Sequence, residues 1–266
     1  VSSRPLADCG VLVTRPAHQA GRLCALIEAA GGVPVPFPVI EIHSPVNLAP
    51  ARALIRQLGR YQIALFVSAN AVEFGLRLVA EAGGEGLPPS LRVGAVGRAT
   101  AAALRARGIG VDLAPTARFD SEGLLALEPL RRVEGQRVLI FRGEGGRELL
   151  TQTLRDHGAE VDHAEVYRRA PPSADPAPLL AAWREGRVDV ITLTSVEALE
   201  NLRDLVGARG LGLLRGTPLV TLSARVAARA ESLGLSQRPR VATEASDRGL
   251  LEALVAWRRE QVQAAP

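Results

Sequence analysis

The feature that most constrains this 266-residue chain is that it is written twice. Val11-Leu12-Val13-Thr14-Arg15-Pro16, a short apolar strand that turns at an arginine, returns 127 positions later as Val138-Leu139-Ile140-Phe141-Arg142-Gly143 (138 − 11). Each is followed by apolar residues at helical spacing (Leu23, Leu26 and Ile27; Leu149, Leu150 and Leu154), a glycine stop at Gly31 or Gly158, and a further extended segment. The spacing predicts one βαβ unit in each copy. Ser68, after Leu65-Phe66-Val67, and Ser195, after Thr192-Leu193-Thr194, are again 127 apart (195 − 68). Each stands where a buried strand turns into a helix, which is the place of an N-cap. Two more pairs, centred on Gly97 with Ser223 and on Gly123 with Gly249, follow at a separation of 126 (223 − 97 and 249 − 123). Four ordered matches at a nearly constant separation describe two copies of one α/β half.

Strands alternating with helices predict parallel sheets covered by helices on both faces. Ligands of such sheets sit outside the carboxyl ends of the strands, where helix N-termini present free N–H groups and partial positive charge. Here that rim carries Thr14-Arg15, Ser68, Asn70, Gly97, Thr100, Arg142-Gly143, Ser195 and Ser223-Arg225. Such a rim suits carboxylates or phosphates. Two proline-marked extended stretches, 33–42 and 161–172, are expected to be paired crossings between two lobes, with Tyr167 on the second facing the cleft.

Composition narrows the chemistry. All 32 basic residues are arginine, which excludes a lysine Schiff base, a pyridoxal-phosphate lysine and a Walker lysine together. Every positive side chain is therefore a fork-shaped binder of carboxylate or phosphate, and the net charge of +4 allows an anionic ligand. Nucleic acid is not expected, because the arginines are scattered and aromatic residues make up only 3%, too few for a stacking platform. Cys9 and Cys24 are too few for a metal site or a disulfide framework. His18, His43, His157 and His163 form no i, i+4 pair and are expected on the surface, so no metal is expected. The glycine-rich run 142–148 lacks the lysine and hydroxyl residue of a phosphate loop and reads as a rim loop. No apolar run approaches the ~20 residues that span a bilayer. The N-terminal residues lack a signal peptide's apolar core, and a cytoplasmic protein without membrane contact is the expectation.

Thr14-Arg15-Pro16, Ser68-x-Asn70-Ala71-Val72, Gly97-x-x-Thr100, Arg142-Gly143, Val166-Tyr167-Arg168, Ser195-x-x-Ala198 and Ser223-Ala224-Arg225 resemble, in order and spacing, the uroporphyrinogen-III synthases over roughly residues 11–257. The resemblance implies two similar flavodoxin-like parallel-sheet domains joined by a two-stranded connector, with a cleft between them. One lobe would comprise 1–37 plus 173–259, the other 44–164, and the connector 38–43 and 165–172. It implies a monomeric enzyme that takes the anionic linear tetrapyrrole hydroxymethylbilane, removes its terminal hydroxyl and closes the ring with inversion of the last pyrrole, using no cofactor or metal. Tyr167 matches the family's cleft tyrosine and would be the catalytic proton or hydrogen-bond donor. Arg15, Ser68, Asn70, Gly97, Thr100, Arg142, Gly143, Ser195 and Ser223 would bind substrate.

Taken by themselves, the same residues have simpler readings. Ser68, Ser195 and Thr100 can be plain caps, which does not exclude a role in binding, since a cap also aims its helix's amides outward. Arg15 and Arg142 can be surface residues, and Tyr167 a packed strand residue. Two rival functions stand beside the synthase: a non-catalytic two-lobed binder of an anionic small molecule, and a flavin or nucleotide enzyme on similar lobes.

Overall fold

The computed structural model describes residues 4–83, 86–146, 148–234 and 239–264; Arg147 of the glycine-rich run lies outside them. The chain opens with β1 (Gly10–Val13), α1 (Ala17–Ala29), β2 (Val33–Pro36) and β3 (Glu41–His43). Next come α2 (Ala49–Ile55), β4 (Ile63–Phe66), α3 (Ala69–Glu81), β5 (Arg92–Ala95), α4 (Arg98–Arg105), α5 (Ser121–Leu125) and α6 (Glu128–Arg131). The second copy brings β6 (Arg137–Gly143), α7 (Leu149–Asp156), β7 (Glu160–Ala170), α8 (Ala177–Arg184) and β8 (Val190–Leu193). It ends with α9 (Val196–Gly216), β9 (Leu219–Thr221), α10 (Ala224–Ser232), β10 (Arg240–Val241) and α11 (Asp247–Ala264). A break at Gly207, where φ is 54°, divides α9.

Two compact units result, Val1–Glu41 with Ala170–Pro266, and Ile42–Arg169. The first holds a sheet of order β10-β9-β8-β1-β2, the second one of order β3-β7-β6-β4-β5. The pairings of β1 with β2 and β8, of β8 with β9, of β9 with β10, and of β6 with β7 and β4 are parallel, as is that of β4 with β5. Each sheet mixes the two copies: β1 and β2 of the first copy join β8 to β10 of the second, while β4 and β5 join β6 and β7. The duplication is visible in the register itself. Gly10 lies opposite Val33 in one sheet and Arg137 opposite Glu160 in the other, each residue 127 positions from its counterpart.

Local chemistry explains why the copies fold alike. The inner strands β1, β4 and β8 are buried along their whole length, as parallel strands covered on both faces must be. In the second unit one face packs Phe66, Phe74, Leu78, Val79 and Phe141 beneath α3, and the other packs Ile63, Leu124, Leu154 and Val161 beneath α5 and α7. Gly75 of α3 leaves room for Phe141: a Cβ there would come within 2.7 Å of its ring. Phe141 stacks on Phe66 with centroids 4.4 Å apart, so α3 sits close upon the ends of β4 and β6. In the first unit α1 and α11 cover Val11, Val13, Leu23, Ile27, Leu250 and Leu254. The fourth matched pair of the sequence also has a structural cause. Asp120 and Ser246 cap α5 and α11 by accepting from the N–H of Gly123 and Gly249, and a carbonyl, that of Arg118 or Glu244, closes over each glycine.

Candidate active site

In the second unit the carboxyl ends of β4, β6 and β7 meet the start of α3. Ser68 is extended (φ −160°, ψ 165°), and its Oγ accepts from the N–H of Ala71 at 3.1 Å. Beside it lies Tyr167. The β6–β7 ladder slips at Arg142/Gly143, so that Glu165 pairs with Arg142 and Tyr167 with Gly143, and Val166 is passed over. That bulge turns the tyrosine ring across Gly143, where a Cβ would stand 2.7 Å from the ring, and toward Phe74, whose centroid is 6.1 Å away. Tyr167 is 3% exposed, and its hydroxyl lies 3.1 Å from Ser68 Oγ. The tyrosine ring is therefore part of this unit's core, and among the described residues Ser68 is the phenol's polar contact.

Arg142 also differs from the open rim arginine that its sequence position suggests. Its side chain is 4% exposed. The guanidinium donates to Glu148 Oε1 at 2.9 Å and to the carbonyl of Gly146, and makes a long contact, 3.5 Å, with the carbonyl of Gly143. It folds the loop after β6 onto itself, and the hydrogen bond from Arg142 holds the Glu148 carboxyl below its ordinary value. Asn70 and Thr100 are buried in the first turns of α3 and α4. Gly97 caps α4 in extended conformation with no side-chain bond, and a Cβ there would meet nothing closer than 3.8 Å.

The first unit repeats the theme without the phenol. Ser195 caps α9, accepting from Ala198 N–H at 3.0 Å, and Ser223 caps α10, accepting from Val226 N–H at 3.4 Å. Thr14 donates to the carbonyl of Thr192 at 2.7 Å and Thr192 donates to that of Leu12 at 2.9 Å, tying β1 to β8 at their carboxyl ends. Arg15 pairs with Asp247 at the start of α11, with both side chains mostly buried. Position 40, the counterpart of 167, is Ile40.

Two of the histidines are half-buried and hydrogen-bonded. His157 Nδ1 lies 2.9 Å from the carbonyl of Leu130, and His163 Nε2 lies 2.6 Å from Thr151 Oγ1. Neither partner was legible, because one contact lies between the end of α7 and α6 and the other between β7 and α7. Burial, then the charge of Arg142, lowers the pKa of His163 from its ordinary 6.5, against the opposing pull of Glu148 and Glu165. The unfolded chain thus binds a proton near pH 6.5 before the folded one does. The stability this contributes is complete above that pH and is lost as pH falls through the folded value. In His163→Gln the urea midpoint should fall less between about pH 7.5 and about pH 5.5 than in the parent protein.

Among the described residues no cluster of His, Cys, Asp and Glu could hold a metal ion, and no helix is long and apolar enough to cross a membrane. A groove of about 570 Å³ is lined by Arg4, Pro5, Ala7, Arg258, Arg259, Val262 and Gln263. Its residues 4–7 precede β1 and so lie at the amino end of the strand, away from the capped helix starts.

Fold and site together define a duplicated α/β protein with serine-capped helix N-termini along the carboxyl ends of parallel strands in two sheets. The sequence model of "Uroporphyrinogen-III synthase HemD" matches residues 21–252. The uroporphyrinogen-III synthase of Salmonella typhimurium is 36% identical, the alignment covering 92% of this chain and 99% of that protein; the Escherichia coli enzyme is 34% identical with the same coverage. The chain belongs to the uroporphyrinogen-III synthase family. Among solved structures, a mutant uroporphyrinogen III synthase from Thermus thermophilus superposes with a TM-score of 0.60 at 19% identity, covering 96% of this chain and all of that one. The Helicobacter pylori protein gives 0.57 at 16% identity, covering 84% and 92%. At such identities these two establish the shared fold alone.

Proposed function

We propose that this chain carries out the reaction for which its relatives are named, closing linear hydroxymethylbilane to uroporphyrinogen III with loss of water and inversion of the last pyrrole ring. The observation that carries this reading is family membership, with alignments that cover 99% of the length of the Salmonella typhimurium and Escherichia coli relatives. The geometry supports it. The substrate is rich in carboxylates, and the starts of α3, α4, α9 and α10, at Ser68, Gly97, Ser195 and Ser223, carry the partial positive charge of helix N-termini. Asn70 and Thr100 lie buried in the first turns of α3 and α4, and Arg15, tied to Asp247, holds the start of α11. Gly143 and Arg142 shape the loop beside Tyr167.

Chemically the protein has little to supply. The electron-rich pyrrole nitrogens of the substrate drive the hydroxyl out, so one proton donor and a binding surface that holds the folded chain suffice. The donor belongs to the Tyr167–Ser68 pair. In this reading the lobes are 1–37 with 173–259 and 44–164, connected by 38–43 and 165–172, and each is flavodoxin-like. The support is the strand order: β2-β1-β8-β9-β10 is the 2-1-3-4-5 arrangement. The sequence β7-β6-β4-β5, completed by the bridge of Gly94 to Leu113, is the same order with the chain entering at a different strand. The reading includes a monomer in the cytoplasm.

The test is hydroxymethylbilane generated in place, with and without the protein, followed by oxidation and chromatographic separation of the isomers. The unaided reaction gives type I. Excess type III in the presence of the chain is expected; type I alone from folded protein would leave the anionic-ligand binder as the better reading.

A further inference from the structure

We infer that Ser68, rather than Tyr167, is the group that meets the departing hydroxyl, and that the buried phenol serves to aim the serine's proton outward and to replace it. The inference rests on the synthase reading of the same site.

The argument is an accounting of hydrogen-bond positions. Tyr167 is buried, and among the described residues its phenol has one polar contact, Ser68 Oγ at 3.1 Å. If the serine donated to the phenol, the phenol's own hydrogen would be buried with no acceptor, an arrangement native structures avoid. The tyrosine is therefore the donor. Ser68 Oγ also accepts from Ala71 N–H at 3.1 Å, so both of its lone pairs are engaged. What remains is the serine's own hydrogen, which can point only away from both partners. Ser68 is half-buried where Tyr167 is core, so the serine is the member of the pair that a bound molecule can touch. Gly143 and the bulge at Arg142/Gly143 keep the ring in this place.

The proton balance closes without an outside reagent. The carbon–oxygen bond of the terminal hydroxymethyl group breaks with its electron pair remaining on oxygen. That oxygen takes the Ser68 proton and leaves as water, while the lone pair of the adjacent pyrrole nitrogen fills the vacated carbon. Ser68 takes the Tyr167 proton in turn. The vacated carbon is then attacked by the substituted α carbon of the last pyrrole, the bond from that α carbon to its own bridge carbon breaks, the freed bridge carbon bonds to the ring's other α carbon, and the proton that this last carbon sheds to recover aromaticity returns to the pair.

The duplication provides a comparison inside the molecule. Ser195 is the counterpart of Ser68 and caps α9 through the same geometry, but Ile40 stands where Tyr167 would be. Ser195 has no phenol behind it, and its share in the reaction is limited to binding.

The experiment uses the full chain and steady-state kinetics on hydroxymethylbilane, with the parent protein first shown to make the type III isomer. Ser68→Ala should lower kcat by about 100-fold, in the range of general acid catalysis, while Ser195→Ala should act on KM. Ser68→Thr, which keeps a hydroxyl, should recover most of the kcat lost in Ser68→Ala. Because Tyr167 acts through Ser68, Tyr167→Phe should lower kcat less than Ser68→Ala does. The double variant Ser68→Ala/Tyr167→Phe should be no slower than Ser68→Ala alone, and it also removes the orphaned phenol that could impair folding of the single variant. Equal kcat losses in the Ser68 and Ser195 variants would reduce Ser68 to a cap. Multiplying losses in the double variant, or a Tyr167→Phe slower than Ser68→Ala, would make the phenol an independent donor. Either result overturns the assignment. Absence of type III product from the parent protein would instead overturn the synthase reading itself.

Discussion

Gly123→Ala and Gly249→Ala are each expected to destabilise the protein by about 3 kcal/mol, at the upper end of the usual cost of overpacking. A Cβ at Gly123 would stand 1.8 Å from the carbonyl oxygen of Arg118, and one at Gly249 would stand 2.1 Å from that of Glu244. Both obstacles are backbone, so relief requires moving the loop that also sets the N-caps Asp120 and Ser246. Both helices press on the core: Leu124 and Leu125 are buried beside α7, and Leu250 and Leu254 lie beneath α1. The equality of the two costs is itself a consequence of the duplication. The control is Gly21→Ala in α1, where a Cβ would meet nothing within 4 Å. Removing backbone freedom there should stabilise by about 0.5–1 kcal/mol. Chemical denaturation of the three variants gives the comparison. Equal, small effects at all three positions would show that the matched glycines are not required by packing.

How much of this was legible in the sequence depends on whether the determinant was local. The N-caps at Ser68 and Ser195 were, because a cap is fixed by a hydroxyl and the three residues after it, whereas Thr100, read in the same way, lies inside the first turn of α4, whose cap is Gly97. The two βαβ units were legible for the same reason, and the recurrence at 127 positions proved to be a recurrence of strand register. Which strands share a sheet was not available from residue pattern. The pairing of β1 with β8 joins residues almost 180 positions apart, Val11 with Val190 for example, and nothing near either strand announces it. Only the family resemblance placed the first βα unit with the last third of the chain.

The site was legible as a set of positions but not as a set of roles. Tyr167 was found by motif; its burial could not be, because it follows from a one-residue slip in the β6–β7 ladder. Arg142 was read as a rim arginine because surface or ligand contact is the default for its type. The glycines of 143–146 let the backbone wrap its guanidinium instead, and its charge meets Glu148 and the carbonyl of Gly146. No local rule distinguishes an arginine that binds a ligand from one that binds its own loop.

Gly143→Ala should therefore be felt at Tyr167 more than at any ligand. The added Cβ would lie 2.7 Å from both Cε2 and Cζ of the ring and 3.1 Å from its hydroxyl, and the ring has Phe74 near it on its packed side. The phenol must be displaced, at a cost of about 1–3 kcal/mol in stability and with loss of its bond to Ser68. A cycle with Tyr167→Leu separates this cause from any effect on the loop. Leucine lacks the atoms that collide, so Gly143→Ala should cost almost nothing in that background, giving a coupling energy of about 1–3 kcal/mol between the two positions. Turnover should follow the same logic: Gly143→Ala should lower kcat in the parent protein and leave it unchanged once Tyr167 is already Leu. If the glycine acted instead by letting substrate approach the backbone, the alanine would raise KM equally in both backgrounds and the coupling would vanish. The glycine next to Arg142 would then be a ligand contact, as its position on the rim first suggests, and the tyrosine's place would owe nothing to it.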